Sequence, residues 1–155
     1  MSQSNPINPY LKTKIMTASP EELRLMLYEG AIKFCRVARE SLEAEDFEGS
    51  YHALMRSQKI VLELSTSLNH DVAPELCDKL AALYTYIYRL LVDANMQREI
   101  APIDEAIKLL DYERETWKML MHKTGSDDET QQPGTAPPSD TGAQQTAISS
   151  LSING

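Results

Sequence analysis

Three histidines and two cysteines are the residues of this 155-residue chain that could most readily do chemistry. His52, His70 and His122 stand in three separate parts of the chain, and none follows a glutamate at the spacing that a di-iron helical bundle uses. Cys35 and Cys77 each lie in an apolar helical pattern without a C-x-x-C pair, which favours two reduced, buried thiols over a redox site, with a disulfide left open. We therefore expect no metal ion and no cofactor.

The sequence also lacks the short motifs that carry common enzyme chemistry, since it has neither a glycine-rich phosphate loop nor G-x-S-x-G. Its many carboxylates fall on polar faces among lysines and arginines, as on a solvated surface. His52 supports one alternative, a phosphotransfer bundle, although no basic cluster accompanies it to hold a phosphoryl group. Arg114 is expected at a bundle edge, paired with a carboxylate. The residues thus predict a protein that is not an enzyme.

The elements that position these residues are four helices. Ser19-Pro20-Glu21-Glu22 is a strong helix start, with Ser19 as cap and Glu22 completing a capping box. Asp46 can cap the second helix, and Gly125 is expected to end the fourth. Because the connections are short, neighbouring helices should be antiparallel. The prediction is an all-α, antiparallel up-down four-helix bundle, with helices over residues 19–45, 47–68, 75–96 and 102–125.

The two ends of the chain differ from the predicted bundle. Residues 5–11 hold two prolines and three large apolar side chains, Ile7, Tyr10 and Leu11, and prolines favour an extended conformation before them. From residue 126 the composition is rich in Gly, Ser, Thr, Gln and Pro, which predicts a disordered tail with a small apolar patch near its end. We therefore divide the chain into an extended lead (1–18), a bundle (19–125) and a tail (126–155).

Charge and hydropathy restrict the partners. The formal net charge is -8 and the pI is near 4.9, which disfavours nucleic acid and anionic membranes. No run of about eighteen apolar residues occurs, so membrane insertion is not expected, and no signal peptide is apparent. These features predict a cytoplasmic protein.

Three predicted helices carry more apolar residues than one core needs. On the first helix, the residues predicted to face the core are Leu23, Leu27, Gly30, Phe34 and Val37. A second stripe on the far side holds Leu25, Tyr28 and Ile32. The other helices place further apolar residues beside their core stripes, namely Ile60, Leu64, Tyr84 and Tyr88. One interpretation is a wide core; the other, which the spaced stripe favours, is a groove for an apolar helix of a partner, covered by the lead when empty.

Several motifs resemble the flagellin-specific export chaperone family, FliS, over residues 5 to about 123. One residue departs from the family pattern, because Glu29 stands where Asp is more usual. The motifs that carry the resemblance are Asn8-Pro9-Tyr10-Leu11, residues 17–23, Met26-Leu27-Tyr28-Glu29-Gly30-Ala31, Gln58-Lys59-Ile60-Val61, residues 83–89, Ala94-Asn95 and Arg114-Glu115-Thr116-Trp117.

The resemblance implies a cytoplasmic chaperone. It would bind the C-terminal segment of flagellin, prevent premature polymerisation, and help to deliver flagellin to the flagellar type III export gate. Ile7 and Tyr10, with the adjacent Leu11, match a movable lid. The surface predicted to bind the client comprises Leu25, Tyr28, Ile32, Gln58, Ile60, Leu64, Tyr84 and Tyr88. A homodimer of the client-free chain and a purely structural dimeric adaptor stay open.

Overall fold

The computed structural model describes residues 8–130, with side chains described through residue 123. Within this part the chain is all-helical and has no strand, which confirms the predicted class. Five helices are present, one more than predicted, so the count of four is wrong. They are α1 (Pro9–Thr17), α2 (Pro20–Glu43), α3 (Phe47–Thr66), α4 (Pro74–Gln97) and α5 (Ala101–Thr130). None of these helices is long and apolar enough to cross a membrane.

Helices α2 and α3 begin where their caps predict. The Ser19 hydroxyl accepts a hydrogen bond from the Glu22 amide at 3.2 Å, and the Glu22 carboxylate accepts one from the Ser19 amide at 3.3 Å. Asp46 in turn accepts a hydrogen bond from the Gly49 amide at 3.0 Å. These contacts satisfy amide groups that the first turn of a helix leaves without partners.

The predicted extended lead is wrong for residues 9–17, which form α1. Pro9 occupies the first helical position, where its missing N–H costs nothing, and the Asn8 side chain accepts a hydrogen bond from the Tyr10 amide at 3.0 Å. Within the described part of the lead, Asn8 takes the non-helical conformation that a following proline favours. The same cap-and-proline signal therefore starts both α1 and α2. Ile7 lies outside the described residues.

The predicted helix end at Gly125 is also wrong, because α5 continues to Thr130. A glycine inside a helix costs about 1 kcal/mol relative to alanine, which a long helix can absorb. The first five residues assigned to the disordered tail are thus helical. The rest of that prediction, residues 131–155, falls outside the described part of the chain.

The four long helices pack in a ring. Helix α2 packs against α3 and α5, and α4 packs against the same two helices. The Arg39 guanidinium, late in α2, pairs with Asp104, early in α5, at 2.7 Å. Near the start of α2, the Glu21 carbonyl accepts a hydrogen bond at 2.9 Å from the indole N–H of Trp117, in the second half of α5. Helices α2 and α5 therefore run in opposite directions.

Small residues let α2 and α3 approach closely. The Ser57 hydroxyl donates to the Ala31 carbonyl at 3.0 Å and lies 3.2 Å from the Cys35 sulfur. Cys35 and Cys77 are both free and buried, as predicted. Burial raises the pKa of the Cys35 thiol to about 11, so it stays protonated and packs as a small apolar group.

The side of α2 that faces the interior is not the one predicted. The buried residues of α2 are Arg24, Tyr28, Ala31, Ile32, Cys35, Ala38 and Leu42. Residues of the predicted core stripe are only partly buried or, like Val37, 41% exposed. Periodicity finds both stripes but does not say which one the neighbouring helices cover.

Helical spacing predicts core stripes on the other three long helices as well. They are Phe47, Tyr51, Leu54, Gln58, Leu62 and Ser65 on α3, Leu76, Leu80, Leu83, Ile87, Leu90 and Ala94 on α4, and Ile103, Ile107, Leu110, Arg114, Trp117 and Met121 on α5. On α3, Leu54 is buried as predicted, and so is Gln58, which was predicted both for this stripe and for the client-binding surface. Phe47, Tyr51 and Leu62 are exposed. On α4 and α5 the predictions confirmed as buried are Ile87, Leu90, Ala94, Ile103 and Leu110, whereas Leu76 is 45% exposed and the other predicted positions are partly buried.

Candidate functional site: an apolar groove beside α2

A groove of about 550 Å³ lies between α1, α2 and α3. Its α2 wall is built by Leu23, Leu27, Gly30 and Phe34, most of the stripe that was predicted to face the core. The other lining residues are Leu11, Lys14, Ile15, Arg24, Met26, Glu29, Lys33, Ile60, Glu63 and Ser67. The surplus apolar stripe of α2 therefore forms the wall of an open groove.

Gly30 shapes this wall by letting α3 lie close. A Cβ atom added at Gly30 would stand 3.3 Å from Cδ1 of Ile60, a tight contact that the glycine avoids. Ile60 can then rest against α2 and contribute to the groove lining. This position accounts for a residue that lowers the helix propensity of α2.

Helix α1 covers the groove incompletely. Leu11 and Ile15, four residues apart on one face of α1, line the groove, yet each remains about 40% exposed. Tyr10 and Met16 are about 75% exposed. No residue of α1 is buried. Within residues 8–123, the cover of the groove is therefore a short helix that contributes two apolar side chains to the lining.

A buried polar cluster centred on Arg24 adjoins the groove. Arg24 is 4% exposed and its guanidinium donates to the Tyr84 hydroxyl at 2.8 Å and to the Ser67 hydroxyl at 3.2 Å. The Tyr28 and Tyr84 hydroxyls lie 2.5 Å apart, and the Ser67 hydroxyl donates to the Leu64 carbonyl at 2.9 Å. One side chain of α2 thereby connects α3 and α4.

The cluster holds its charge with hydroxyls and aromatic rings. The guanidinium carbon lies 5.4 to 6.0 Å from the ring centroids of Tyr28, Tyr84 and Trp117, within cation–π range. Burial raises the pKa of both tyrosines, which therefore stay neutral at pH 7. Burial also raises the pKa of the Glu113 carboxyl, and the charge of Arg24 partly offsets this rise. No carboxylate of residues 8–123 pairs with Arg24 within 4.0 Å.

Most of the predicted client-binding surface lies in the interior. Its residues Tyr28, Ile32, Gln58, Leu64 and Tyr84 are at most 6% exposed, so their assignment to an outer face is wrong. Tyr28 and Ile32 are buried because the far-side stripe of α2 is the one that the other long helices enclose, and Leu64 and Tyr84 belong to the same core.

The remaining predicted site residues have different places. Ile60 and Leu11 line the groove. Leu25 is half-buried, and Tyr88 packs against the core from a partly exposed position. Tyr10 is 74% exposed and does not line the groove, and Ile7 falls outside the described residues.

Several groove residues were missed by the sequence prediction. Ile15 was missed because α1 was taken as extended, and Leu23, Leu27 and Phe34 because they were assigned to the core. A signal for Arg24 was present, since it stands four residues before Tyr28 and so shares its helical face.

The two residues singled out in the sequence, His52 and Arg114, lie beside carboxylates. His52 is exposed, and its Nε2 lies 3.8 Å from a Glu48 carboxylate oxygen, whose charge would repel a phosphoryl group. Arg114 pairs with Asp111 at 2.6 Å and with Glu115 at 3.2 Å, as predicted. The described residues contain no group of three or more His, Cys, Asp or Glu side chains that could hold a metal ion.

Comparison with known proteins decides the family. The family model described as "Flagellar protein FliS" matches residues 3–124. The chain belongs to the FliS family. This FliS chain is 35% identical over 127 residues to the "Flagellar secretion chaperone FliS" of Bacillus subtilis (strain 168), covering 82% of this chain and 94% of that protein. It is 32% identical to the proteins of the same name from Campylobacter jejuni, over 72% of this chain and 87% of that one, and from Salmonella typhimurium, over 73% and 84%.

Proposed function

We propose that this FliS chain binds the C-terminal helical segment of flagellin in the cytoplasm, prevents its premature polymerisation and assists its delivery to the flagellar type III export apparatus. Membership of a family of flagellar secretion chaperones supports this function. The observation that carries it is an apolar groove beside α2 that, among the described residues, only the short helix α1 covers. We propose that the four long helices form an antiparallel up-down bundle as the scaffold of this groove.

The groove suits an amphipathic helix. Its apolar wall is a row along α2, at Leu23, Leu27, Gly30 and Phe34, opposed by Ile60 of α3. Helix α1 already presents two apolar side chains to it at a spacing of four residues. An incoming segment with a longer apolar row would occupy the same wall and bury more apolar area, at roughly 25 cal/mol per Å². Such a segment would otherwise associate with other copies of itself.

We further propose that α1 acts as a displaceable cover. Helix α1 and the client compete for the same wall. The apparent affinity for the client is therefore lower the smaller the fraction of molecules in which the groove is uncovered. The part of the lid that makes contact would be Leu11 and Ile15 rather than Tyr10.

Pull-down with flagellin tests the proposed function. Full-length flagellin should be captured by the chain, and flagellin truncated at its C-terminus should not. Capture that survives the truncation would contradict the proposal. Light scattering of the chain with and without the segment adds a second criterion: a one-to-one complex supports a chaperone, and a tight dimer indifferent to the segment supports a structural adaptor.

A matched pair of double variants tests the cover. Leu11→Ala with Ile15→Ala removes the contacts of α1 with the groove, whereas Tyr10→Ala with Met16→Ala changes its exposed side. Titration calorimetry should show several-fold tighter binding of the flagellin segment to the first variant and unchanged binding to the second. Equal affinities for both variants would mean that α1 does not compete with the client.

A further inference from the structure

We propose that Arg24 binds a carboxylate of the segment that occupies the groove. This inference rests on the proposed function, because it concerns how the same groove recognises its client. In this proposal, the contact with Arg24 fixes the position along α2 at which the bound segment ends.

The position of Arg24 makes this contact accessible to a groove ligand. Arg24 lines the groove together with Leu23, Leu27 and Ser67, although most of its side chain is buried. Its hydrogen bond to Ser67, which follows the last residue of α3, places the guanidinium where α3 ends. A carboxylate at that end of the groove would meet the guanidinium without entering the core.

The surroundings of Arg24 leave its charge without a directly paired carboxylate, although the Glu113 carboxyl is near enough to interact with it electrostatically. Its hydrogen-bond acceptors, on Tyr84 and Ser67, are neutral hydroxyls, and the described residues offer no carboxylate within 4.0 Å. Arginines are almost never this buried unless they are paired. A guanidinium presents a planar fork of donors that a carboxylate can accept in bidentate fashion.

The charges lining the groove point to the same occupant. Lys14, Lys33, Glu29 and Glu63 are two cations and two anions, so Arg24 leaves the lining with an excess positive charge. Helix α1 has no acidic residue and brings Lys14 to the groove. The cover thus leaves Arg24 without a directly paired carboxylate, and a client that carries a carboxylate gains a contact that α1 cannot make. This difference would favour displacement of α1 by the client.

A double-mutant cycle between client and chaperone tests the contact. The probe is the isolated C-terminal segment of flagellin, with each Asp or Glu changed singly to Asn or Gln and, separately, with its C-terminal carboxylate amidated. One of these changes should weaken binding to the parent chain about tenfold, or 1.4 kcal/mol, and binding to Arg24→Met less than about twofold. The change that shows this coupling tells whether the carboxylate belongs to a side chain or to the C-terminus.

The controls separate the inference from the proposed function and from folding. Lys33→Met removes another cation that lines the groove. Binding to this variant should show no coupling to any single carboxylate of the segment. Binding of the neutralised segments to the parent chain can be measured even if Arg24→Met does not fold. If none of these changes weakens binding to the parent chain, the inference is wrong. Equal weakening of parent and Arg24→Met by every change would also overturn it. A parent segment that does not bind the parent chain at all would instead refute the proposed function.

Discussion

Helix α2 has two apolar sides, one buried in the core and the other lining an open groove. On one side Tyr28, Ile32 and Cys35 are at most 2% exposed and are enclosed by the other long helices. On the other side Leu23, Leu27 and Phe34 line a groove that a short helix covers incompletely. Both sides have helical periodicity, and the groove side was the one predicted to be the core. The difference shows that an apolar stripe on a helix indicates a surface that packs against another segment. The stripe does not indicate whether that segment is part of the permanent core.

The two sides also differ in their small residues. The enclosed side carries Ala31, Cys35 and Ala38, and Ser57 of α3 reaches it with a hydrogen bond to the Ala31 carbonyl. Small side chains allow two helices to lie close and exclude water between them. On the groove side Gly30 makes room for Ile60, and the larger residues Leu27 and Phe34 on either side of it line the open groove. Close packing therefore marks the permanent contact.

The largest effect expected from this comparison is on stability. Leu64 and Ile60 are both on α3, but Leu64 is fully buried and Ile60 lines the groove. Leu64→Ala should lower the free energy of unfolding by about 2–5 kcal/mol, because it leaves a cavity in a packed core. Ile60→Ala should cost clearly less and should weaken binding of the flagellin segment. Urea denaturation and titration calorimetry measure the two quantities, and equal losses of stability would contradict the assignment of the two sides.

A smaller loss of stability should come from the buried polar cluster. Tyr84→Phe removes the hydroxyl that accepts a hydrogen bond from Arg24, and an unsatisfied buried donor costs about 1–3 kcal/mol. Tyr88→Phe, on the same helix, is the control. The Tyr88 hydroxyl has no hydrogen bond within residues 8–123, so its removal should change stability by less than about 0.5 kcal/mol. Equal unfolding midpoints for the two variants would show that the cluster does not stabilise the bundle.

The smallest effect concerns Glu113 and depends on pH. Burial raises the pKa of Glu113 in the folded chain above its ordinary value of 4.5. The folded state therefore holds this proton more tightly than the unfolded state, and stability falls as pH rises from about 4.5 through the raised pKa. Glu113→Gln should be slightly more stable than the parent chain at pH 7, with the difference vanishing below pH 4.5. Thermal melts across this range check the sign, and a stabilisation that does not change with pH would refute this cause.

Much of the scaffold could be predicted from the sequence because its signals are local. The Ser19 capping box, the Asp46 cap and the positions of three of the four long helices depend on residues within a few positions of one another. Helix α1 carries a signal of the same kind, Asn8 followed by Pro9, but its prolines were interpreted as extended chain. The continuation of α5 beyond Gly125 had no local signal to predict it.

The groove could be predicted only in part, because it depends on contacts between distant residues. The excess of apolar side chains indicated that some surface binds a helix, and the first residues of the chain were expected to cover it. Which stripe of α2 remained outside depended on how closely α3 and α5 approach. The cluster of Arg24, Ser67 and Tyr84 joins three helices, and no spacing along the chain predicts it.

The central claim is that the groove wall at Gly30 contacts the client, and two substitutions at this position test it directly. Gly30→Ala adds one methyl group near Ile60 and raises helix propensity by about 1 kcal/mol, so it should leave the fold and the groove in place. Gly30→Leu fills the wall between Leu27 and Phe34. Titration calorimetry should show near-parental affinity of Gly30→Ala for the flagellin C-terminal segment, and at least about tenfold weaker binding by Gly30→Leu with unchanged helical content. Parental affinity of a folded Gly30→Leu variant would place the client elsewhere on the chain.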